Sequence, residues 1–432
     1  MSSHMLSPDS QSILLLCGTL GQDRTACPKP LSPAEFHRLA LWMKSNDMRP
    51  NELLLPGFID KLKAFNDAKI DLNRIKSLLN RGGALAFSVE AWTNRGLWIL
   101  SVVDESYPRR WRDRLGHNAP PLIYGAGNRD LLSKGGLAII GSRDVDEVGT
   151  DVTRTVAKMG AINGTQIISG GARGVDSEAM QAALTNGGCV AGVLADSLSR
   201  ESVSVKYRDA LRNGRLVLVS PYDPGIGFNV GNAMGRNRLI YCLSDFAIVI
   251  SATLNKGGTW AGAIENLKHK WIPLFVRSSD NVPEGNLKLI EQGATAIDTT
   301  SLKNKNIIKS LFSFSDDMTN ENVAENKSHS FDIESSTDSD EIGADISDGI
   351  SDDKSFRPAL ERDLFYTVWP VIETELRTSR TDEELAYIFN VQIKQMRAWL
   401  KRAVENGFAR LTKDKPRRYT AIKELSLDKF IG

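Results

Sequence analysis

Histidine and paired cysteine are scarce in this chain, and their scarcity excludes several kinds of site. Only 5 of the 432 residues are histidine, and no two of them stand at the spacing of a metal-ligand pair. The 4 cysteines lie far apart and form no C-x-x-C motif. We therefore expect no zinc site and no Cys–His or Ser–His–Asp nucleophile. The isolated thiols favour a reduced, cytoplasmic protein.

Excess charge of one sign and long apolar runs are also missing. The formal net charge is +1, so any basic surface for a polyanion must be local. No apolar run approaches the length that spans a bilayer. The N-terminal residues lack the basic-then-apolar pattern of a secretory signal. We expect no membrane partner.

Changes in sequence texture divide the chain into five predicted segments. The sequence Ser32-Pro33-Ala34-Glu35 has the N-cap, the first-turn proline and the capping-box glutamate of a helix start. Acidic and small polar residues dominate the linker segment, which cannot bury enough apolar surface to offset its ordering entropy and is predicted to be disordered. The segments are an uncertain leader (1–30), a helical N-terminal domain (31–97), a doubly wound α/β domain (98–300), an acidic linker (301–355) and a C-terminal winged-helix domain (356–432).

The α/β assignment depends on short apolar runs separated by helix-length segments. This order is typical of βαβ crossovers in a parallel sheet. The runs are almost wholly apolar, which indicates strands that are covered on both faces. After a β-rich start at Trp98–Val103, the predicted strands are Leu137–Gly141, Ile167–Ser169, Cys189–Leu194, Leu216–Ser220, Phe246–Ser251 and Trp271–Val276.

A glycine-rich turn, Gln166–Asp176, stands at the centre of the predicted domain. Gly170 and Gly171 let a ligand approach the backbone closely, and the amides of the following helix favour an anion. Arg173 adds a cation that can grip a phosphate through two nitrogens. The turn is interpreted as a phosphate-binding loop, and the alternative is a tight βα turn that simply requires glycine.

Three further loops are predicted at the same edge of the sheet, where open α/β sheets bind their ligands. Together the loops supply hydroxyls, cations and glycine amides, which suit the phosphates of single-stranded nucleic acid, and a single nucleotide would also fit. Trp260 is interpreted as a stacking surface or as a core residue. The residues predicted to bind are Ser142 and Arg143, then Arg236, Asn237 and Arg238, then Lys256, Gly257, Thr259 and Trp260.

Familiar enzyme motifs are missing from these loops. The chain has neither a Walker lysine nor a G-x-G-x-x-G turn with an acidic partner. Asp176 and Glu178 are interpreted as residues that cap or solvate a helix start. We therefore predict a protein that is not an enzyme, with no cofactor, no metal and no catalytic residue. The alternative is a Rossmann-like protein that senses or cleaves a nucleotide.

The C-terminal segment shows the element order of a winged helix, three helices followed by a hairpin. Its predicted recognition helix, Val391–Val404, carries Lys394, Arg397 and Lys401. These cations are interpreted as contacts to duplex DNA, which would make the chain a regulator. The alternative is a protein-interaction module with a solvated basic surface.

Taken in order, several of these motifs resemble the DprA/Smf family of DNA-processing proteins. They are Tyr107-Pro108, Pro120–Gly125, Gly141-Ser142-Arg143, Ser169–Asp176, Arg236–Ile240 and Lys256–Thr259. The resemblance implies an extended Rossmann fold, a homodimer, binding of single-stranded DNA and transfer of that DNA to a RecA-type recombinase. Carried over by motif, Arg143, Arg173 and Lys256 would contact phosphates, and Gly170 and Gly171 would supply amides.

Two segments depart from the family pattern. Gly192–Asp196 replaces a Gly-rich segment that usually precedes a Tyr-Pro pair, and Gly257-Gly258 stands where relatives commonly have Ser-Gly. The acidic linker is also unusually long. These departures favour a divergent member, for which a partner in a phage-defence cassette is an alternative to natural transformation.

Overall fold

The structure of the chain is a computed structural model that describes residues 6–21, 28–279, 281–298, 369, 372–389, 391, 393–406, 408–412 and 417–421. The predicted acidic linker, 301–355, lies outside the described residues. Within the described part of the chain, no helix is long and apolar enough to cross a membrane.

Short α-helices precede the sheet. The second begins at the predicted capping box, in which the Ser32 hydroxyl accepts from the Glu35 amide and the Glu35 carboxylate accepts from the Ser32 amide at 2.7 Å. The uncertain leader contains a helix whose residues Ile13, Leu14 and Leu16 are fully buried. The helices are α1 (Pro8–Cys17), α2 (Pro33–Ser45), α3 (Phe58–Leu62), α4 (Leu72–Leu79) and α5 (Gly82–Thr93).

A nine-stranded sheet follows, and it confirms the doubly wound α/β prediction. Its strands are β1 (Leu97–Ser101), β2 (Leu122–Gly127), β3 (Leu137–Gly141), β4 (Ile167–Ser169), β5 (Val190–Val193), β6 (Leu216–Ser220), β7 (Phe246–Ser251), β8 (Leu274–Ser278) and β9 (Thr295–Asp298). The spatial order is β1-β2-β6-β5-β4-β3-β7-β8-β9. The strands from β3 to β9 pair in parallel, whereas β1 and β2 form an antiparallel edge.

Helices cover both faces of this sheet, as the apolar strands predict. Successive strand residues point to opposite faces, so Ile139 joins one buried cluster and Ile140 joins the other. The N-terminal helices pack with the cluster that contains Ile139. The helices of the domain are α6 (Arg109–Leu115), α7 (Leu131–Lys134), α8 (Glu147–Ile162), α9 (Val175–Thr185), α10 (Leu198–Glu201), α11 (Val205–Arg212), α12 (Val230–Leu243), α13 (Gly257–His269) and α14 (Glu284–Glu291).

The strand order reverses between β3 and β7. From β3 the chain builds outward through β4, β5 and β6 on one side, and β7, β8 and β9 extend the sheet on the other. The loops that follow β3 and β7 therefore diverge and leave a crevice at their carboxyl ends, the place where open α/β sheets bind ligands. The Ser142 amide still donates to the Ser251 carbonyl at 2.9 Å, so the two strand ends remain joined.

In its described residues the C-terminal unit contains a helical stretch at 372–375, two further helices and a small antiparallel sheet. The helices are α15 (Asp382–Ile388) and α16 (Ile393–Glu405), and the strands β10 (Arg380–Thr381), β11 (Ala409–Leu411) and β12 (Arg418–Ala421) pair in the order β10-β12-β11. The first helix predicted for this unit, over residues 360–372, lies mostly outside the described residues. The winged-helix assignment therefore stays a prediction.

One aromatic contact joins the C-terminal unit to the helical N-terminal unit. The rings of Phe87 on α5 and Trp399 on α16 have centroids 3.9 Å apart, and both residues are buried. Phe389 and Val391 approach Gly83 at the start of α5 closely. The described C-terminal unit thus packs on α5.

We expect Phe87→Ala to speed hydrogen exchange in α16, because truncation of a buried phenylalanine removes about 3–5 kcal/mol of packing. Mass spectrometry of peptides that cover residues 393–405 measures the effect. Phe65→Ala is the matched control. Phe65 is a buried aromatic residue of the same helical unit, but its ring packs on Trp42 and not on α16. Equal exchange of α16 in the two variants would contradict the contact.

Candidate nucleic-acid interface

The glycine-rich turn connects β4 to α9 and is closely packed against the loop that follows β3. Gly171 and Gly174 adopt φ angles of +68° and +84°, which other residues rarely adopt. A Cβ atom on Gly174 would stand 2.5 Å from the carbonyl oxygens of Ser142 and Arg143. The turn therefore requires glycine both for its conformation and for this close approach, and it holds the Arg143 loop in place.

Arg236 lies beneath the same turn. Its side chain is 5 % exposed, and its Nη1 atom lies 3.4 Å from Oδ2 of the equally buried Asp176. A Cβ atom on Gly170 would stand 1.3 Å from that Nη1 atom, so a side chain at Gly170 would have to displace the Arg236 guanidinium. Burial raises the pKa of Asp176 above its ordinary value, while the Arg236 charge opposes the rise. Arg236 thus forms a buried floor under the turn.

The sequence prediction placed Gly235–Arg238 on a loop, and this is wrong. These residues lie inside α12, where Arg236 reaches the turn and Asn237 faces α13. The buried Asn237 side chain lies 2.7 Å from where a Cβ atom on Gly258 would stand, so a larger residue at Gly258 would collide with it. Arg238 donates through Nε to the Gly235 carbonyl at 3.1 Å. Gly235–Arg238 therefore contacts the loops after β4 and β7 through the packing of α12, with Arg236 against Gly170 and Asn237 against Gly258.

The last predicted segment forms the start of α13. Lys256 is the N-cap residue and is exposed, and Gly257 follows with a φ angle of +82°. Thr259 lies in the first turn of the helix and is half-buried. Trp260 is also half-buried and packs against the core cluster that contains Ile140, which favours its interpretation as a core residue.

Two exposed arginines stand beside the turn. The Arg143 guanidinium carbon lies 4.8 Å from the centroid of the Phe228 ring. Arg173 pairs with Asp144, and both side chains are largely exposed, at 76 % and 82 %. An ion pair in such a solvated position contributes little, so a phosphate can replace Asp144 at low cost. Both cations are available to an anionic ligand.

Part of this set lines a cavity of about 420 Å³ at the carboxyl edge of the sheet. Of the residues predicted to bind, the lining includes Arg143, Gly170, Gly171, Arg173 and Arg236, and it does not include Ser142, Asn237, Arg238, Lys256, Gly257, Thr259 or Trp260. Four arginines and two carboxylates line it. Three of the arginines have acidic partners, since Arg173 pairs with Asp144, Arg200 with Glu201 and Arg236 with Asp176, whereas Arg143 stands over the Phe228 ring. Sequence reasoning missed Arg200 and Phe228 on this wall, since neither belongs to a recognisable motif. The charged lining residues are Arg143, Arg173, Arg200, Arg236, Asp196 and Glu201.

The cations of the C-terminal unit also stand beside acidic side chains. Arg397 forms an ion pair with Asp382, and Lys401 lies 3.7 Å from Glu405. The side chain of Lys394 lies outside the described part of the chain. Arg397 and Lys401 thus have acidic neighbours, as Arg173 has in the α/β domain, and the contact of this surface with duplex DNA stays a prediction.

Comparison with known proteins identifies the family. The family model described as DNA recombination-mediator protein A matches residues 98–311. The DNA processing protein DprA of Streptococcus pneumoniae is 32% identical over 203 residues, which cover 46% of this chain and 70% of that protein. This chain belongs to the DprA/Smf family. The DprA protein of Bacillus subtilis is 28% identical over 214 residues, or 48% of this chain and 70% of its own.

A solved structure shows that the fold is shared as well. The X-ray structure of DprA from Streptococcus pneumoniae covers 69% of this chain and 98% of its own, with a TM-score of 0.53 and 21% sequence identity. The relative of 32% identity confirms the family assignment that the motifs predicted, and the solved structure shows that the fold is shared. Membership makes this chain a DNA-processing protein of the recombination-mediator class.

In this DprA/Smf-family chain, we expect Gly170→Ala to lower the free energy of unfolding by about 1–3 kcal/mol, the usual cost of overpacking. The added methyl group meets the guanidinium of Arg236. Urea denaturation measures the change. Gly82→Ala is the control, since nothing stands within 4 Å of a Cβ atom there. If both variants unfold at the same urea concentration, Arg236 does not occupy the space beneath Gly170.

Proposed function

We propose that this protein binds single-stranded DNA along the carboxyl edge of its sheet and is not an enzyme. The observation that carries the proposal is the placement of its exposed cations. Arg143 and Arg173 lie on the side of α12 that faces the glycine-rich turn, and Lys256 lies where α12 meets α13. The cations are thus spread along an edge, which suits an extended polyanion better than one small phosphate compound.

The local chemistry supports the same ligand. Glycine-rich backbone at Gly170, Gly171 and Gly257 lets a phosphate approach main-chain amides, and α9 and α13 begin at this edge with their dipoles favouring an anion. Arg143 and Arg173 supply charges in addition. Proteins that bind single strands without strong sequence preference combine such a positive groove with aromatic side chains.

The names of the relatives indicate the process in which the bound strand takes part. They are described as DNA processing proteins, and the family model as a recombination mediator. We infer from this that the bound strand is passed to a RecA-type recombinase. The homodimer and a role in a phage-defence cassette stay predictions.

Fluorescence anisotropy with labelled oligo-dT tests the proposed ligand. We expect binding that weakens steeply as salt rises, because several counterions are released when the strand binds. Excess duplex DNA should not displace the oligomer, and a mononucleotide should compete poorly. Preference for duplex would favour the C-terminal unit as the DNA reader, and efficient competition by a mononucleotide would favour the nucleotide-sensing alternative.

Single substitutions locate the binding edge. We expect Arg143→Ala and Lys256→Ala each to weaken oligo-dT binding and to reduce the salt slope, by about 0.7 for each phosphate of a single strand that the variant no longer neutralises. The double variant should bind more weakly than either single variant, with its circular dichroism spectrum unchanged.

Matched controls lie at the opposite ends of two helices of the same domain. Lys268 is exposed in the last turn of α13, the helix that Lys256 caps at its start. Lys158 is exposed in the second half of α8. We expect Lys268→Ala and Lys158→Ala to retain wild-type affinity. If these controls weaken binding as much as the variants at the edge, the attraction comes from overall charge and the groove proposal fails.

A further inference from the structure

An exposed aromatic ring stands at the mouth of the cavity. Phe228 is 56% exposed, although its side chain is wholly apolar, and it lines the cavity together with the glycine-rich turn. Val230 and Met234 are exposed at the start of α12, one helical turn apart. Most large apolar side chains of the domain are buried, so this local exposure favours a ligand that covers it.

The position of Arg143 defines which part of Phe228 is available. The guanidinium carbon lies 4.8 Å above the ring, so the cation covers one face. The ring retains more than half of its exposure. A guanidinium over a ring still presents in-plane N–H groups, which remain free to donate to a phosphate. The pair therefore offers an aromatic surface and a phosphate contact side by side.

This combination selects the ligand class. A protein partner with an apolar side chain for Phe228 would also have to meet Arg143 and Arg173, which are exposed beside it. A nucleotide satisfies both requirements, since its phosphate is anionic and its base is a flat ring that stacks.

We propose that Phe228 is a stacking platform for a nucleobase of the strand whose phosphate contacts Arg143. The inference rests on the proposed function and adds an aromatic contact that the sequence motifs do not contain. Every base has a face that stacks on phenylalanine, so the platform accepts any sequence. It is separate from Trp260, which packs against the core.

Comparison of oligo-dT with an abasic oligomer, which has the phosphates but no bases, measures the stacking contact separately from the phosphate contacts. We expect Phe228→Ala to weaken binding of the full-length protein to oligo-dT by about fivefold or more, the lower end of what one stacked base contributes. Binding to an abasic oligomer of equal length should be unchanged, because its phosphates remain. Phe228→Tyr should restore oligo-dT binding. Fluorescence anisotropy measures the binding of each protein to each oligomer.

Two controls make the outcomes distinct. Tyr387→Ala removes an aromatic side chain that is 88% exposed on α15 and should leave binding of both oligomers unchanged. Arg143→Ala should weaken binding of both oligomers, since both carry the phosphate that Arg143 binds. If Phe228→Ala weakens both oligomers equally, Phe228 only positions Arg143 and the stacking proposal is overturned.

Oligo-dT binding by the Phe228, Arg143 and Lys256 variants distinguishes failure of the stacking platform from failure of the proposed DNA-binding function. Unchanged oligo-dT binding by Phe228→Ala, together with weakened binding by Arg143→Ala, overturns the platform and leaves the strand-binding groove intact. If Arg143→Ala and Lys256→Ala also bind like the unmodified protein, the groove itself fails. A melting temperature equal to that of the unmodified protein is expected for Phe228→Ala, because the ring is not part of the core.

Discussion

The candidate interface depends on a buried arginine, Arg236, that packs against the glycine-rich turn at Gly170, where no side chain stands in its way. Arg236 extends from the middle of α12 to the underside of Gly170 and meets Asp176 in the first turn of α9. A buried ion pair contributes little net stability, yet removal of one partner leaves an uncompensated charge and is strongly destabilising. The pair therefore fixes α12 against the turn. Asn237, the next residue, fixes the same helix against Gly258.

This arrangement divides the cations of the edge into two groups. Arg236 is buried and holds the elements together, whereas Arg143, Arg173 and Lys256 are exposed and can bind a ligand. The floor gives the exposed cations fixed positions, because the loops that carry them pack on α12 and on each other. A preorganised edge loses less ordering entropy on binding than a flexible one. The packing of the core thereby contributes to recognition of the strand.

Sequence reasoning predicted the sheet well and the details of the edge less well. Strands such as Leu216–Ser220 are buried on both faces, so their apolar runs stood out in the sequence. The strand Thr295–Asp298 was missed because it is short and mostly exposed at the sheet edge. Arg236 and Asn237 were assigned to a loop since the first turn of α12 contains Gly231 and Asn232, which are poor helix formers. The contact of Phe87 with Trp399 joins residues that are distant in sequence, and no local pattern reveals such a contact.

We expect a single strand of DNA to bind where the loops after β3, β4 and β7 meet. Hydrogen–deuterium exchange of the full chain, with and without saturating oligo-dT, tests this expectation most directly. We predict slower exchange in the DNA-bound protein at residues 142–146, 170–177 and 252–260, with exchange at residues 393–421 unchanged. Protection confined to residues 393–421, with no change in those three loops, would contradict it.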